Sequence, residues 1–367
     1  MTGTKGASLE EIVRAYFDRQ GFFALRSVPF RYGHDDVTDV DIWLYARPSA
    51  GVRTKGVVDV KNKKSPRALE RVLWTKGLQA ILGADVATVV TTDNNPRVAR
   101  FGQEHRVAVL SKALLDRLQK SLNLDDRLSL EELLQEIRSY SAQKTDGDWI
   151  KRLEETKSGL ISLSNFPALN RALQSFAFFA ERIETRPHFA APALRCSLIS
   201  AAVGCVALDA ALERLTFEDA GDRHRAILDG VRYGDSGDSR TQKSIQNVLA
   251  LIEESMENGR VVALEARSRI DERFKAIRAE ILADHFSREH NSSQLVQIAR
   301  ELEGAAHHKP GPAPASLSID ARAVLGVFAD FVQIRRQLIL GASVPEIDRP
   351  KSDKLQPPEE PSTGKLL

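Results

Sequence analysis

The hydrophobic period changes once along this chain, and that change limits the fold more than any composition figure. Between residues 22 and 62, three short runs, FFALRSV, TDVDIWLYA and KGVVDVKN, are rich in β-branched and aromatic residues. From about residue 121 nearly every segment has apolar residues at 3.6-residue spacing instead. The expected organisation is an α/β unit over residues 1–120, an all-α unit over 121–345, and a Pro-, Lys- and Glu-rich tail over 346–367 that is too polar to order.

Within the first unit, SLEEIVRAYFDRQ (8–20) spaces Leu9, Ile12, Val13, Tyr16 and Phe17 as one helical face and stops at Gly21. After the three strands, SPRALERVLWTKGLQAILGA predicts a helix with Ser65 as N-cap and Pro66 at the first position. ADVATVVTT, NPRVARFGQEH and RVAVLS read as strand, helix and strand, with another helix beyond. Three consecutive strands followed by alternating elements predict one mixed sheet flanked by helices. In the second half, Ser129 with Glu132 predicts a capping box. Helices are expected near 129–143, 147–161, 165–183, 190–215, 241–285, 291–304 and 318–340. Breaks are expected at GDSGDS (234–239) and HHKPGPAPAS (307–316).

The 42% hydrophobic and 28% charged content of the 367 residues is that of a globular protein. Cys196 and Cys205 have neither zinc nor disulfide-framework spacing, so they are expected to pack in a core in a reducing compartment. The opening MTGTKGASLEE has no apolar stretch, and the run Ser197 to Leu208 is too short to span a bilayer. The expectation is a cytoplasmic protein with no membrane partner. Charge is uneven: residues 1–120 hold 20 Lys and Arg against 13 Asp and Glu, and the remainder 32 against 37. The excess peaks at residues 53–76, where Arg53, Lys55, Lys61, Lys63, Lys64, Arg67, Arg71 and Lys76 face two acids. Such a field suits a polyanion, although a solvated basic helix face has the same composition.

At the centre of that patch stands VVDVKNKK (57–64). Asp59 and Lys61, two apart on a strand, share a face, while Val58 and Val60 point the other way. Asp39 and Asp41 likewise share a face of the preceding strand. Matching register would bring Asp41 and Asp59 close enough to share a hard divalent cation such as Mg²⁺. Lys61 would then neutralise charge building on a phosphate or orient the attacking water. Ser8 and Glu11 have capping-box spacing, which leaves Glu10 free to point elsewhere. A plain ion pair accounts for Asp59 and Lys61 equally well.

Glu10 on a first helix ending in Gly21-Phe22, Asp41 in a strand, and D-x-K at Asp59-Val60-Lys61 resemble the PD-(D/E)xK nuclease superfamily. The likeness is to its Mrr-like restriction-endonuclease and Holliday-junction-resolvase branches, and it covers residues 7–115. Val40 stands before Asp41 where proline is common, and Asp59 where Glu is more usual. The resemblance implies a Mg²⁺-dependent DNA endonuclease, with Mn²⁺ able to substitute, leaving 5′-phosphate ends. It implies metal ligation by Asp41, Asp59 and the Val60 carbonyl, with Glu10 reaching the metal through water or holding a second ion. Appended helical domains in such proteins are associated with restriction or anti-phage defence. Lys55, Lys63, Lys64 and Arg67 are candidate phosphate contacts. Asp39 competes with Asp41 as first ligand, and Gln79 is a further candidate on the following helix. His34, Asp35 and Asp36 stand near the expected cleft mouth. Arg278 and His285 match the R-x6-H spacing of HEPN-type ribonucleases loosely, since Ala279 follows the arginine. DNA is favoured over RNA, and cutting two strands favours a homodimer or a partner subunit engaged through the helices. A non-catalytic nucleic-acid-binding module and a helical sensor with a regulated nuclease effector stay open.

Overall fold

β1 (Phe23–Tyr32), β2 (Asp35–Ser49) and β3 (Val52–Lys61) form an antiparallel meander, onto which β4 (Val86–Thr91) and β5 (Ala108–Leu110) add in parallel in the order β1-β2-β3-β4-β5. The coordinates are a computed structural model and describe residues 4–33, 35–61, 67–93, 95–122, 124–312 and 314–341. Parallel neighbours need crossovers, which α2 (Ala68–Leu82) and α3 (Pro96–Glu104) supply. α1 (Thr4–Arg19) precedes the sheet and α4 (Lys112–Ser121) follows it. Strand alternation sorts the apolar residues onto two faces. Ala24, Ile42, Leu44, Val58, Val60 and Val90 meet Val13 and Phe17 of α1 and Leu115 of α4. Phe23, Leu25, Trp43, Tyr45, Val57, Ala87 and Val89 belong to the larger core on the other side.

The helical half comprises α5 (Leu130–Ser139), α6 (Trp149–Ser162), α7 (Asn165–Thr185), α8 (Ala190–Ala211), α9 (Ala220–Tyr233), α10 (Gly237–Ser255), α11 (Gly259–Ala276), α12 (Ala279–Phe286), α13 (Glu289–Ser293), α14 (Leu295–Ala306), α15 (Ile319–Phe331) and α16 (Arg336–Leu340). The Ser129–Glu132 capping box is formed as predicted. The span 241–285 is not one helix. α10 begins inside GDSGDS, and the chain reverses before Gly259, where a Cβ would lie 2.4 Å from the Ile252 carbonyl oxygen. Two amphipathic stretches of the same period look continuous in sequence. α9 was not expected at all; its signal was Asp219, whose side chain accepts the Asp222 N–H at 2.8 Å as an N-cap. α8 is the central helix and carries Cys196 and Cys205, both buried and free. With the turn before it, Pro187–Ala211 has the length and composition to cross a membrane, which the shorter run Ser197–Leu208 did not suggest; 94% of its apolar window is buried inside the chain.

The core runs without a break across residue 120, since Leu25, Trp43 and Tyr45 share it with α6, α7 and α8. Two buried polar clusters cross the same boundary. Asp209 of α8 accepts from the Tyr45 hydroxyl at 2.8 Å and from Arg47 at 3.1 Å, and pairs with Arg53 at 2.7 Å. Glu11 of α1 accepts from Arg14 at 2.5 Å, Arg127 at 2.6 Å and Arg26 at 3.1 Å, and Arg127 also pairs with Glu303 of α14. The expected Ser8–Glu11 capping box is therefore corrected. α1 starts at Thr4, which puts Ser8 inside the helix, and three guanidinium groups claim the Glu11 carboxylate.

These clusters make the fold acid-sensitive. Burial, aided by Arg127, pushes the His307 imidazole down to about 4. Burial alone would raise the Glu11 and Glu303 carboxyls, but the arginine charges outweigh it and hold both below the usual range. Between pH 6.5 and about 4 the unfolded chain gains a proton at His307 that the folded chain refuses, so stability falls as pH falls. Below the ordinary carboxylate value of 4.5 the unfolded chain also protonates Glu11 and Glu303 first, and the loss steepens. The expected result is a urea midpoint that drops steadily from pH 7 to pH 4, and less steeply above pH 5 in His307→Gln. A midpoint that is flat over that range would exclude this cluster as the cause.

Candidate active site

β2 and β3 pair from Ser49↔Val52 to Ile42↔Val58, and the recorded pairing goes no further. On its other side β2 pairs Arg26↔Ile42 and Val28↔Val40 in one register, and Ser27 between them has a left-handed φ of 48°. The β2–β3 ladder thus opens beside Asp41. At this opening Asp41 Oδ2 accepts the Val60 N–H at 2.7 Å in place of a strand carbonyl. Continuing the register from Ile42↔Val58 places Asp41 opposite Asp59. Lys61 Nζ lies 3.4 Å from Asp41 Oδ2 and 3.6 Å from Asp59 Oδ1, so one ammonium serves both acids.

Glu10, on α1, is engaged by Arg26 and not by the strand pair. Arg26 donates to its Oε2 at 2.7 Å, and the Asp41 charge reaches it. Burial raises the Asp41 carboxyl above its ordinary value; Asp59 adds to the rise, while the Val60 N–H and Lys61 oppose it. Burial raises Glu10 too, against the bond from Arg26 and with the repulsion of Asp41 and Glu131. Two neighbouring acids pushed toward protonation, with one lysine between the strand pair, form a site that favours added positive charge.

Sequence reasoning missed Arg71. From the first turn of α2 it grips both oxygens of the buried Asp59, Nε to Oδ2 at 2.8 Å and Nη2 to Oδ1. Burial works against its charge, and Asp59 outweighs it, so its guanidinium titrates above the ordinary value. Nothing in the spacing from Asp59 to Arg71 marks the contact, because a crossover loop sets it. Ser65, Pro66, Lys63 and Lys64 lie outside the described residues. The described helix starts at Ala68 with Arg67, at φ 40°, as its N-cap, in place of the expected Ser65.

Other candidates fall elsewhere. Asp39 pairs across from Pro29 and lines a separate cleft of about 470 Å³ with Ser27, Thr38, Glu131, Glu154 and Lys157, so Asp41 is the acid at the strand opening. Asp36, paired with Arg31, lines the same cleft, Asp35 is exposed on β2, and His34 is outside the described residues. Gln79 is buried and donates to the Asp85 carbonyl, two turns and about 12 Å along α2 from Arg71. Lys55 stands about 20 Å along β3 from Lys61. Arg67 is exposed and pairs with Glu70 at 3.4 Å. Arg278 donates to the Asp330 carbonyl. The charge patch is smaller than the sequence count, because Arg53 is buried on Asp209 and Arg71 is held by Asp59.

Asp41, Asp59 and the Val60 carbonyl are oxygen donors of the kind a hard divalent cation takes, with water and phosphate completing its shell. Among the described residues no group of three or more His, Cys, Asp or Glu is placed to hold a metal ion, so Glu10 does not join Asp41 and Asp59 as a third ligand. The two acids fit Mg²⁺ on one condition. Arg71 occupies both Asp59 oxygens, and metal ligation there requires it to let go. No protein-family model matches the chain, and neither a curated protein nor a solved structure does.

Proposed function

We propose that this protein is a divalent-metal-dependent endonuclease acting on DNA. The observation that carries the reading is the pair Asp41 and Asp59 bridged by Lys61 where β2 leaves β3. Asp41, Asp59 and the Val60 carbonyl would hold Mg²⁺, which supplies Lewis-acid charge to a phosphodiester. Lys61 neutralises charge on the phosphate and orients water for attack. The bond to the 3′ oxygen breaks, leaving a 5′-phosphate, as the resemblance to PD-(D/E)xK nucleases implies. Glu10, raised by burial, positions water or a second cation. Arg67, Lys63 and Lys64 follow or border the strand end and are the proposed phosphate contacts. The helical half is proposed to clamp DNA or sense a trigger, in keeping with restriction or anti-phage roles.

The Arg71 fork on Asp59 favours a second reading, a nucleic-acid-binding fold in which the charges are structural. Supercoiled plasmid separates the two. The purified chain with Mg²⁺ or Mn²⁺ is expected to nick or linearise it, EDTA to stop the reaction, and Asp59→Ala to abolish it. Binding without cutting under every metal condition would leave the second reading standing.

A further inference from the structure

Two carboxylates from opposite halves of the chain share one cation beside the candidate site. Arg26 Nη2 donates to Glu10 Oε2 of α1 at 2.7 Å and to Glu131 Oε1 of α5 at 2.8 Å. Its Nη1 donates to the other Glu131 oxygen at 3.2 Å and to Glu11 at 3.1 Å. Glu11 has Arg14 and Arg127 besides. For Glu10 and Glu131, Arg26 is the one ion-pair partner among the described residues. We propose that Arg26 is a latch on Glu10 that the helical half sets through Glu131: the more of the guanidinium Glu131 takes, the more weakly Glu10 is held.

The latch has a fixed base and a movable head. Arg26 pairs with Ile42 in the β1–β2 ladder, next to Asp41, and its carbonyl accepts from the buried Lys157 Nζ of α6 at 2.9 Å. Strand and helix therefore both hold the backbone, and only the guanidinium is left to shift. Its two Nη atoms meet Glu10, Glu11 and Glu131, while its buried Nε–H has no hydrogen-bond partner among the described residues. An unmade buried bond is a cost. Turning the guanidinium so that Nε and Nη2 meet Glu131 as a two-bond fork, a pairing arginine and carboxylate favour, removes that cost and takes Nη2 from Glu10. Access runs the same way: the Glu131 side chain is 49% exposed and that of Arg26 3%, so the buried cation is reached through α5.

Held by Arg26, Glu10 stays off the Asp41–Asp59 pair; released, its carboxylate is a further oxygen donor for a cation there. Arg71 holds Asp59 in the same manner, so each acid beyond Asp41 has its own arginine, and the one on Glu10 is tied to the helical half. This consequence for metal binding rests on the nuclease reading; the sharing of Arg26 does not.

Two double-variant cycles on the full chain test the latch. In urea, Glu10→Ala and Glu131→Ala are each expected to lower the midpoint slightly, because the remaining acid takes up the guanidinium. The double variant is expected to lose clearly more than the sum of the two. In Mn²⁺ calorimetry, Glu131→Ala is expected to weaken binding about threefold, the weight of one half-exposed ion pair, and to change nothing in a Glu10→Ala background. A Glu131 charge acting only through space weakens binding equally in both backgrounds, and that result overturns the latch. An additive urea cycle overturns it too. A coupled urea cycle in a chain that binds no Mn²⁺ upholds the shared hold on Arg26 and removes the nuclease reading instead.

Discussion

Lys61→Ala is expected to slow single-turnover cleavage of plasmid DNA by about 10²–10³-fold, the loss that follows removal of one electrostatic catalytic group at ~3–4 kcal/mol. The ammonium lies 3.4 Å from Asp41 and 3.6 Å from Asp59, partly exposed at the mouth of the strand opening. An added phosphate therefore meets it without rearrangement of the core. Folding is expected to survive, because Val58 and Val60 hold the strand from the opposite face and the Val60 N–H keeps its bond to Asp41. A variant that binds DNA and cuts at the wild-type rate removes Lys61 from the chemistry.

Asp209→Ala is expected to cost about 3–5 kcal/mol of folding stability, the range for breaking a buried charge pair from one side. It is the fully buried carboxylate on which Tyr45, Arg47 and Arg53 converge. Its removal leaves two guanidinium groups and a phenol facing an apolar core. Urea unfolding measures the loss. By contrast Glu104→Ala, which breaks the exposed Arg100–Glu104 pair, is expected to change stability by less than about 0.5 kcal/mol. A loss of under about 1 kcal/mol for Asp209→Ala would mean that water reaches those groups and that the joint between the halves is looser than the distances indicate. The same joint means that residues 1–120 alone would expose Trp43 and Tyr45, so a chain cut there does not report what the helical half does to activity.

The mixed sheet and the helical half were legible because each depends on a local period: 2 in FFALRSV and TDVDIWLYA, and 3.6 beyond residue 121. The shared face of Asp59 and Lys61 was legible for the same reason, whereas the match of Asp41 to Asp59 was not, since the register of β2 on β3 shifts between Ala46 and Ser49. What was illegible depends on side chains meeting across long separations. Arg71 reaches Asp59 through a crossover, Arg26 draws Glu10 and Glu11 together, and Arg53 points inward to an acid 156 residues away. Counting charges therefore overstated the free basic surface. The left-handed φ of Ser27 was hidden as well, because serine carries no signal for it.

The most direct measurement needs no knowledge of substrate or trigger: titration of Mn²⁺ into the metal-free protein by calorimetry. Wild type is expected to bind the ion at one site per chain, Asp59→Asn to lose it, and Arg71→Ala to bind at least tenfold more tightly because its guanidinium no longer competes for Asp59. If neither wild type nor Arg71→Ala binds the ion, the two acids and their lysine are a structural ion cluster, and the metal-dependent nuclease assignment fails.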